Sequence, residues 1–436
     1  MSGKNCFDVL DKIFEPKRKQ KIEDIKGYTI KYGNIVDEGN VIDEVLVSYF
    51  KAPKSYTTEN MCEINSHGGN VIVKKILDLC LKNGAELAEP GEFTKRAFLN
   101  GRIDLLQAES VIDIINAKSD KELKTGVKQL KGFLSNEIGK IKQEIMEVMV
   151  NIEVTIDYPE YDVDDVTTSQ ISTMLNSIET KLKKLESSFD NGKIIKEGIK
   201  TAIIGKPNAG KSSLLNAILK EDRAIVTEIE GTTRDTIEEF ITVNGIPLKL
   251  IDTAGIREAK DEVEKIGINK SREIAEEADL IIAIFDSSKE LTKEDEEILE
   301  IAKNKKSIIL LNKVDLESKI KEEDPRLLSV TDNIISISAL NNYGIDKLYE
   351  KISDLFDLNE INLDNEVLIT NIRQKNLISK AIEDVNNTRN SISNNMPVDI
   401  IAISVKEILE DLGKITGEEV SEDIINEIFS KFCLGK

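Results

Sequence analysis

Two short runs carry side chains suited to opposite ends of one ligand. Gly205-Lys206-Pro207-Asn208-Ala209-Gly210-Lys211-Ser212 fits the pattern G-x-x-x-x-G-K-S, and Asn312-Lys313-Val314-Asp315 follows about a hundred residues later. The first run comes after an apolar stretch (Ile199, Ala202, Ile203, Ile204) that reads as a buried parallel strand, and residues 212–219 read as a helix. Glycines in such a loop let the backbone wrap a polyphosphate, so that N–H groups and the helix N-terminus face the anion. Lys211 supplies a cation for the β- and γ-phosphates and the Ser212 hydroxyl a Mg2+ ligand, with Asn208, Ala209, Gly210 and Ser213 completing the cradle. A plain Gly-rich turn between strand and helix is the competing structural reading.

Residues 307–311 read as an apolar strand delivering the second run. A carboxylate at Asp315 accepts hydrogen bonds from the N1–H and exocyclic N2–H2 of guanine. Adenine has no such donor pair on that edge, so Asp315 would select GTP over ATP. The aliphatic stem of Lys313 fits over the base, Asn312 can tie segments together, and Ser338-Ala339-Leu340 fits a backbone loop near guanine O6. Between the two runs lies Asp252-Thr253-Ala254-Gly255, after an apolar strand at 248–251. That strand is joined to one at 239–243 through Asn244-Gly245, a hairpin signal. Asp252 stands where a Mg2+-linked carboxylate belongs, and Gly255 can offer its N–H to the γ-phosphate. The three motifs in this order predict a GTPase.

The source of catalytic power is less direct. Ras-like GTPases orient water with a glutamine just after the Asp-x-x-Gly turn, but Ile256 holds that place. The acids within 258–264 are replacements, none singled out by spacing. Arg234 and Arg257 are nearby cations that read equally as surface charge. Positive charge is still needed at the developing β–γ bridge. The Asn208 side-chain oxygen, by holding a monovalent cation there, offers one route.

A chain of 436 residues allows two to four domains. Its formal net charge of −21 argues against broad nonspecific nucleic-acid binding. Lys181-Leu182-Lys183-Lys184 reads as solvated helix surface rather than a basic face. Cys6, Cys62, Cys80 and Cys433 form no C-x-x-C pair, and the lone histidine is too few for a zinc site, so reduced thiols in a cytoplasm are expected. No apolar stretch approaches the ~18 residues of a membrane span, and the start lacks a signal-peptide core. Neither a membrane nor DNA is expected as a partner. His67, in Asn65-Ser66-His67-Gly68-Gly69, reads as a loop histidine held by backbone hydrogen bonds.

The elements around these motifs fall into blocks. Residues 27–50 alternate in strand fashion (Tyr28, Ile30, Tyr32; Val45, Val47, Tyr49), 61–64 form another strand, and 71–81 and 93–100 look helical. That makes a small α+β domain. Leu123, Val127, Leu130, Leu134, Ile138, Ile141, Ile145 and Val148 predict one long amphipathic helix, and Ile171, Leu175, Ile178, Leu182, Leu185 and Phe189 a second. Helical spacing resumes with Leu377, Ala381, Val385 and then Ile401, Val405, Ile408, Leu412. The acidic stretch at 157–165 fits no EF-hand and reads as a solvated turn. The fold class predicted is multidomain α/β plus all-α: a P-loop GTPase domain at 198–357 inserted into a helical domain split into 103–197 and 358–436, preceded by an α+β domain at 1–102.

Further runs stand out: Ser66-His67-Gly68-Gly69, Pro90-Gly91-Glu92-Phe93-Thr94-Lys95-Arg96-Ala97-Phe98-Leu99-Asn100, Asp104-Leu105-Leu106-Gln107-Ala108-Glu109, Gly231-Thr232-Thr233-Arg234-Asp235 and the terminal Cys433-Leu434-Gly435-Lys436. With the phosphate-loop run extended to Asn216, they resemble the bacterial and organellar tRNA-modifying GTPase family called MnmE or TrmE, over essentially the whole chain. The resemblance implies an N-terminal tetrahydrofolate-binding domain and a homodimer. It also implies an FAD-dependent partner, MnmG (GidA), in a heterotetramer that modifies the 5-position of wobble uridine (U34) in certain tRNAs. The group added is aminomethyl or carboxymethylaminomethyl, with its one-carbon unit from a folate. It further implies K+ at Asn208, Thr227, Ile229 and Thr232, bringing two GTPase domains together, and Mg2+ at Ser212 and Thr233. Glu264 becomes the water-orienting residue. Glu63, Arg102 (where lysine is also found) and Lys436 match folate-site positions, and Cys433 matches a cysteine that matters for the modification. Family members begin with an extra strand-and-turn segment leading into an Arg-x-Ser-Gly run, so a shortened or altered N-terminal domain is expected here. The rival class is a GTP-switched ribosome-assembly or RNA-binding factor, which usually carries a second GTPase domain or a C-terminal RNA-binding module.

Overall fold

A computed structural model of the chain describes residues 1–18, 25–157, 164–220, 224–225, 239–251, 267–359 and 366–435. They fall into two units, one of Met1–Ile115, Val127–Leu182 and Asn376–Lys436, the other of Asn116–Gly126 and Lys183–Lys375. Both α/β and helical parts are present, as the patterning predicts.

In the first unit, helix α1 (Cys6–Ile13) leads into an antiparallel sheet of β1 (Phe14–Pro16), β2 (Thr29–Asp37), β3 (Asn40–Phe50) and β4 (Met61–Asn65), in that order across the sheet. Strand alternation turns Val45, Val47 and Tyr49 into a core shared with Leu10 and Ile13 of α1 and Ile76 and Leu79 of α2 (Asn70–Lys82). Tyr28, Ile30 and Tyr32, the other half of the sequence pattern, are exposed, as is Leu46 opposite Tyr32. Helices α3 (Glu92–Leu99) and α4 (Leu105–Asn116) follow.

The predicted long helix from residue 123 is two helices, α5 (Asp120–Leu130) and α6 (Phe133–Asp157). Gly132, at φ 80°, breaks the ladder in a conformation that suits glycine. The break escaped detection because Leu130 and Leu134 keep a four-residue step across it. Leu123 accordingly is exposed, while the buried stripe of α6 runs Leu134, Ile138, Ile141, Ile145, Val148, Ile152. The second stripe is likewise divided at Ser188 between α7 (Asp164–Ser187) and α8 (Phe189–Glu197), leaving Phe189 on the later helix.

Among the described residues, the second unit is built on a seven-stranded sheet. In chain order it contains β5 (Ile199–Ile204), α9 (Lys211–Lys220), β6 (Ala224–Ile225), β7 (Glu239–Val243), β8 (Ile246–Leu250), α10 (Gly267–Glu277), β9 (Leu280–Asp286), α11 (Lys293–Ala302), β10 (Ser307–Asn312), α12 (Pro325–Leu328), β11 (Ile334–Ser336) and α13 (Ile345–Leu355). The strand order is β11-β10-β9-β5-β8-β7-β6, parallel from β11 through β8 and antiparallel beyond. Asn244 (φ 49°) and Gly245 (φ 78°) make the tight β7–β8 turn read from the sequence. Ile199 and Ile203 join a core with α9 and α13 on one face, Ala202 and Ile204 one with α10 and α11 on the other. Burial on both faces is why these strands read as continuous apolar runs. Within this unit Lys118 lies over the Phe240 ring, and the Lys121 ammonium donates to the Leu358 carbonyl.

Helices α14 (Ile372–Ser393), α15 (Val398–Thr416) and α16 (Glu422–Ser430) complete the chain. The buried row of α15, Ile401, Val405, Ile408 and Leu412, packs on α6 at the expected spacing. Each such aliphatic side chain contributes about 1.5–3 kcal/mol through burial. On α14 the inward row is Ile378, Ala381 and Val385, with Leu377 only half-buried. Among the described residues no helix is long and apolar enough to cross a membrane.

Candidate functional site

The C-terminal ends of β5, β9, β10 and β11 point the same way, because these strands are parallel neighbours. The chain after β5 turns to one side of the sheet and β9 to β11 fill the other. That crevice is where open α/β sheets place ligands. Gly205 to Gly210 follow β5 and α9 begins at Lys211, so the helix N-terminus opens on the loop. Asn208 stands at φ 63° with its side chain exposed, and Ser212 and Ser213 are exposed in the first turn. The Lys211 ammonium donates to the carbonyls of Gly205 (2.5 Å) and Lys206 (3.0 Å), and burial pushes its pKa down.

β10 ends in Asn312, which is buried and joins three loops through one amide. Its Nδ2 donates to the Ala209 carbonyl (2.9 Å), and its Oδ1 accepts from the Ala339 N–H (3.0 Å). Gly210 has to be glycine for this: a Cβ there would lie 2.0 Å from Asn312 Nδ2, and its φ is 109°. Lys313, at φ 68°, sends its ammonium to the Asn208 carbonyl (2.8 Å). Asp315 is exposed, with one carboxylate oxygen accepting from Ser338 Oγ (2.6 Å). Ser338 and Ala339 are buried and Leu340 is exposed. The predicted phosphate and base segments therefore meet at one edge of the sheet.

Sequence reading missed Asp286, the last residue of β9. Its Oδ2 accepts from Lys313 (2.7 Å), and its Oδ1 from the Ser288 hydroxyl (2.7 Å) and amide (3.1 Å). Burial alone would raise its carboxyl; the Lys313 and Ser288 bonds outweigh that and hold it below the usual range. The available signal was positional, an acid ending an apolar run, as Asp252 follows the apolar run 248–251 in the sequence.

Thr227, Ile229, Thr232, Thr233, Asp252, Thr253, Ala254, Gly255, Glu264 and Lys436 lie outside the described residues, as do Arg234 and Arg257. In the first unit, Glu63 is exposed on β4, opposite Ser48 of β3. Arg102 stacks its guanidinium 4.7 Å from the Tyr56 ring centroid and donates to the Tyr56 carbonyl (3.2 Å). His67 donates its amide to Asp43 (2.9 Å), and its ring Nδ1 lies 2.7 Å from the same carboxylate. It is thus held by a side chain as well as by backbone. No cluster of three metal-ligating His, Cys, Asp or Glu side chains occurs among the described residues.

Two family models match the chain. One, described as the GTP-binding protein TrmE N-terminus, covers residues 1–102, and the other, the MnmE helical domain, covers residues 105–433. The tRNA modification GTPase MnmE of Acetivibrio thermocellus is 48% identical, across 100% of this chain and 95% of that protein. The chain belongs to the MnmE family of tRNA modification GTPases. MnmE proteins of Clostridioides difficile and Thermoanaerobacter pseudethanolicus are 48% and 49% identical, with the same 100% and 95% coverage. Among solved structures, the G domain of the T. maritima FeoB iron transporter matches at 25% identity over 36% of this chain and 98% of that one, with a TM-score of 0.27.

In this chain the two stretches most distinctive in sequence meet. The Gly91 N–H donates to the Cys433 carbonyl (3.4 Å), and a Cβ on Gly91 would fall 2.8 Å from the Phe429 carbonyl oxygen. Phe98 of α3 stacks near Phe429, Phe429 near Phe432, and Lys95 bonds Asn426 (2.6 Å). Cys433 is held exposed there, while Cys6, Cys62 and Cys80 are buried thiols.

Replacing Asn312 tests the bridge as a structural element. Asn312→Ala orphans the Ala209 carbonyl and the Ala339 N–H, each at about 1–3 kcal/mol when buried. The thermal transition of the nucleotide-site unit should fall by several degrees; an unchanged transition would remove Asn312 from this role.

Proposed function

We propose that this chain binds and hydrolyses GTP in the β5–β10 crevice and uses the cycle to modify C5 of the wobble uridine of certain tRNAs. The observation that carries this reading is the Asn312 and Lys313 bridge to the Ala209 and Asn208 carbonyls. It holds the proposed phosphate cradle beside the segment that carries Asp315, the carboxylate proposed to read guanine, which supports this reading. In the proposed roles, the amides of Asn208 to Ser213 hold the phosphates, Asp315 reads the guanine edge, and Lys313 flanks the base. The backbone of Ser338 to Leu340 faces O6. The Ser213 position, Thr227, Thr232, Thr233 and Asp252 to Gly255 complete the nucleotide contacts.

Hard cations prefer oxygen donors, and the Ser212 hydroxyl and the Asn208 amide are exposed oxygen donors on the loop and the first turn of α9. Ser212, with Thr233, would hold Mg2+. Asn208, with Thr227, Ile229 and Thr232, would hold K+, which supplies positive charge beside the β–γ bridge when two GTPase domains meet. Glu264 orients the attacking water.

The remaining assignments concern the modification. Glu63, Arg102 and Lys436 are the proposed folate contacts, and the stacked, hydrogen-bonded guanidinium of Arg102 suits a carboxylate-bearing ligand. Cys433 is the proposed modification-associated cysteine. The exposed sheet face of Tyr28, Ile30, Tyr32 and Leu46 supports a homodimer, since an apolar patch of this kind marks an interaction surface. An FAD-dependent MnmG-type partner completes a cytoplasmic heterotetramer on tRNA. The domain limits that go with this reading are 1–102, 103–197, 198–357 and 358–436.

Three experiments separate these layers. Asp315→Asn exchanges an acceptor for a donor, so the variant should lose GTP affinity and gain xanthosine triphosphate; unchanged guanine preference in competition removes Asp315 from base reading. Turnover should be much faster in KCl than in NaCl at equal ionic strength, and equal rates break the cation assignment. Nucleoside analysis of tRNA from cells lacking the gene should show wobble uridine without its C5 group; intact modification would turn the reading toward a ribosome-linked GTPase.

A further inference from the structure

We infer that Lys206 and Asp295 form a positioning clamp for the phosphate loop, an assignment that rests on the nucleotide reading above. Lys206 is the second residue of the loop, and its ammonium reaches out to α11. It donates to Asp295 Oδ2 (2.6 Å) and Thr292 Oγ1 (2.9 Å). The Asp295 side chain is only 6% exposed and that of Lys206 25%, so this ion pair is less screened by solvent than a fully exposed pair. Asp295 is itself fixed. It accepts from the Thr292 amide (2.8 Å) and hydroxyl (3.0 Å) in the capping box that opens α11.

The backbone end of Lys206 meets the groups that must handle phosphate. Its carbonyl accepts from the Lys211 ammonium (3.0 Å) and from the Ala209 N–H (3.2 Å). One residue thus links the cap of α11 to the lysine and the amide run of the loop. Fixing it in advance lowers the ordering cost that nucleotide binding would otherwise carry. Neither Lys206 nor Asp295 is given a nucleotide contact in the reading above, so both are positioning residues. The two acids of the β9–α11 segment then divide the work, Asp286 holding Lys313 at the base end and Asp295 holding Lys206 at the phosphate end.

A preorganised cradle serves the β-phosphate, which GDP and GTP share. Fluorescent GDP and a fluorescent non-hydrolysable GTP analogue are titrated into the full chain. Lys206→Met should weaken both by the same factor, about tenfold, as expected for one charge-assisted bond. Lys206→Arg, which keeps the charge and the reach, should restore both. The double variant Lys206→Met/Asp295→Asn removes the stranded carboxylate and should show the same parallel loss, so the answer survives poor folding of the single variant. Unchanged affinity in the variants, with normal wild-type binding, overturns the clamp. A loss confined to the GTP analogue also overturns it, because Lys206 would then act on the γ-phosphate. A wild-type chain that binds neither nucleotide overturns the underlying nucleotide reading and the clamp with it.

Discussion

The Asn312 amide, 2% exposed at the end of β10, donates to the loop after β5 and accepts from the loop after β11. Everything proposed for the pocket depends on that pair of bonds. A buried amide with both ends satisfied fixes two loops against each other, and a missing partner would leave buried polar groups at full cost. The glycine at 210 is a consequence of the same approach, since no side chain fits between the loop and Asn312. Sheet geometry makes the bridge possible, because parallel neighbours end at one edge and their loops converge there.

Charge does the rest of the positioning. The ammonium groups of Lys211 and Lys313 bond carbonyls of the loop after β5, and that of Lys206, within the loop, bonds Thr292 and Asp295. Two of them are tied by acids of the β9–α11 segment. The third, Lys211, rests on two carbonyl oxygens, an arrangement from which a phosphate can draw it. The lysines at 206 and 313 are therefore held by acids, whereas the one at 211 is held by main-chain carbonyls alone, which suits the phosphate-binding role proposed for it.

Much of the nucleotide unit was legible in the sequence because its strands are buried on both faces and its loops carry fixed chemistry. Strands β5, β7, β8 and β10 and the Asn244-Gly245 turn appear where the patterning puts them. The helical parts were legible in spacing but not in continuity. A stripe that keeps a four-residue step across Gly132 cannot reveal that the helix has ended. On β2 the aromatic alternation described a strand correctly yet did not say which face was inside, since Tyr28, Ile30 and Tyr32 are the exposed set. As site residues Asp286 carried only a positional signal and Asp295 none, because their partners are distant lysines and no short motif encodes a pair 27 or 89 residues apart. The pairing of the Pro-Gly-Glu-Phe stretch with the chain end was equally hidden, since each run is recognisable alone but their contact belongs to the fold.

The most direct test is a crystal structure of the full chain with GDP and Mg2+. The account predicts phosphates bonded to the amides between Asn208 and Ser212, with Lys211 swung from its carbonyl rest onto the β-phosphate, and a guanine edge on the Asp315 carboxylate. Nucleotide density that leaves the Asn312 crevice empty, or a base turned away from Asp315, would contradict it.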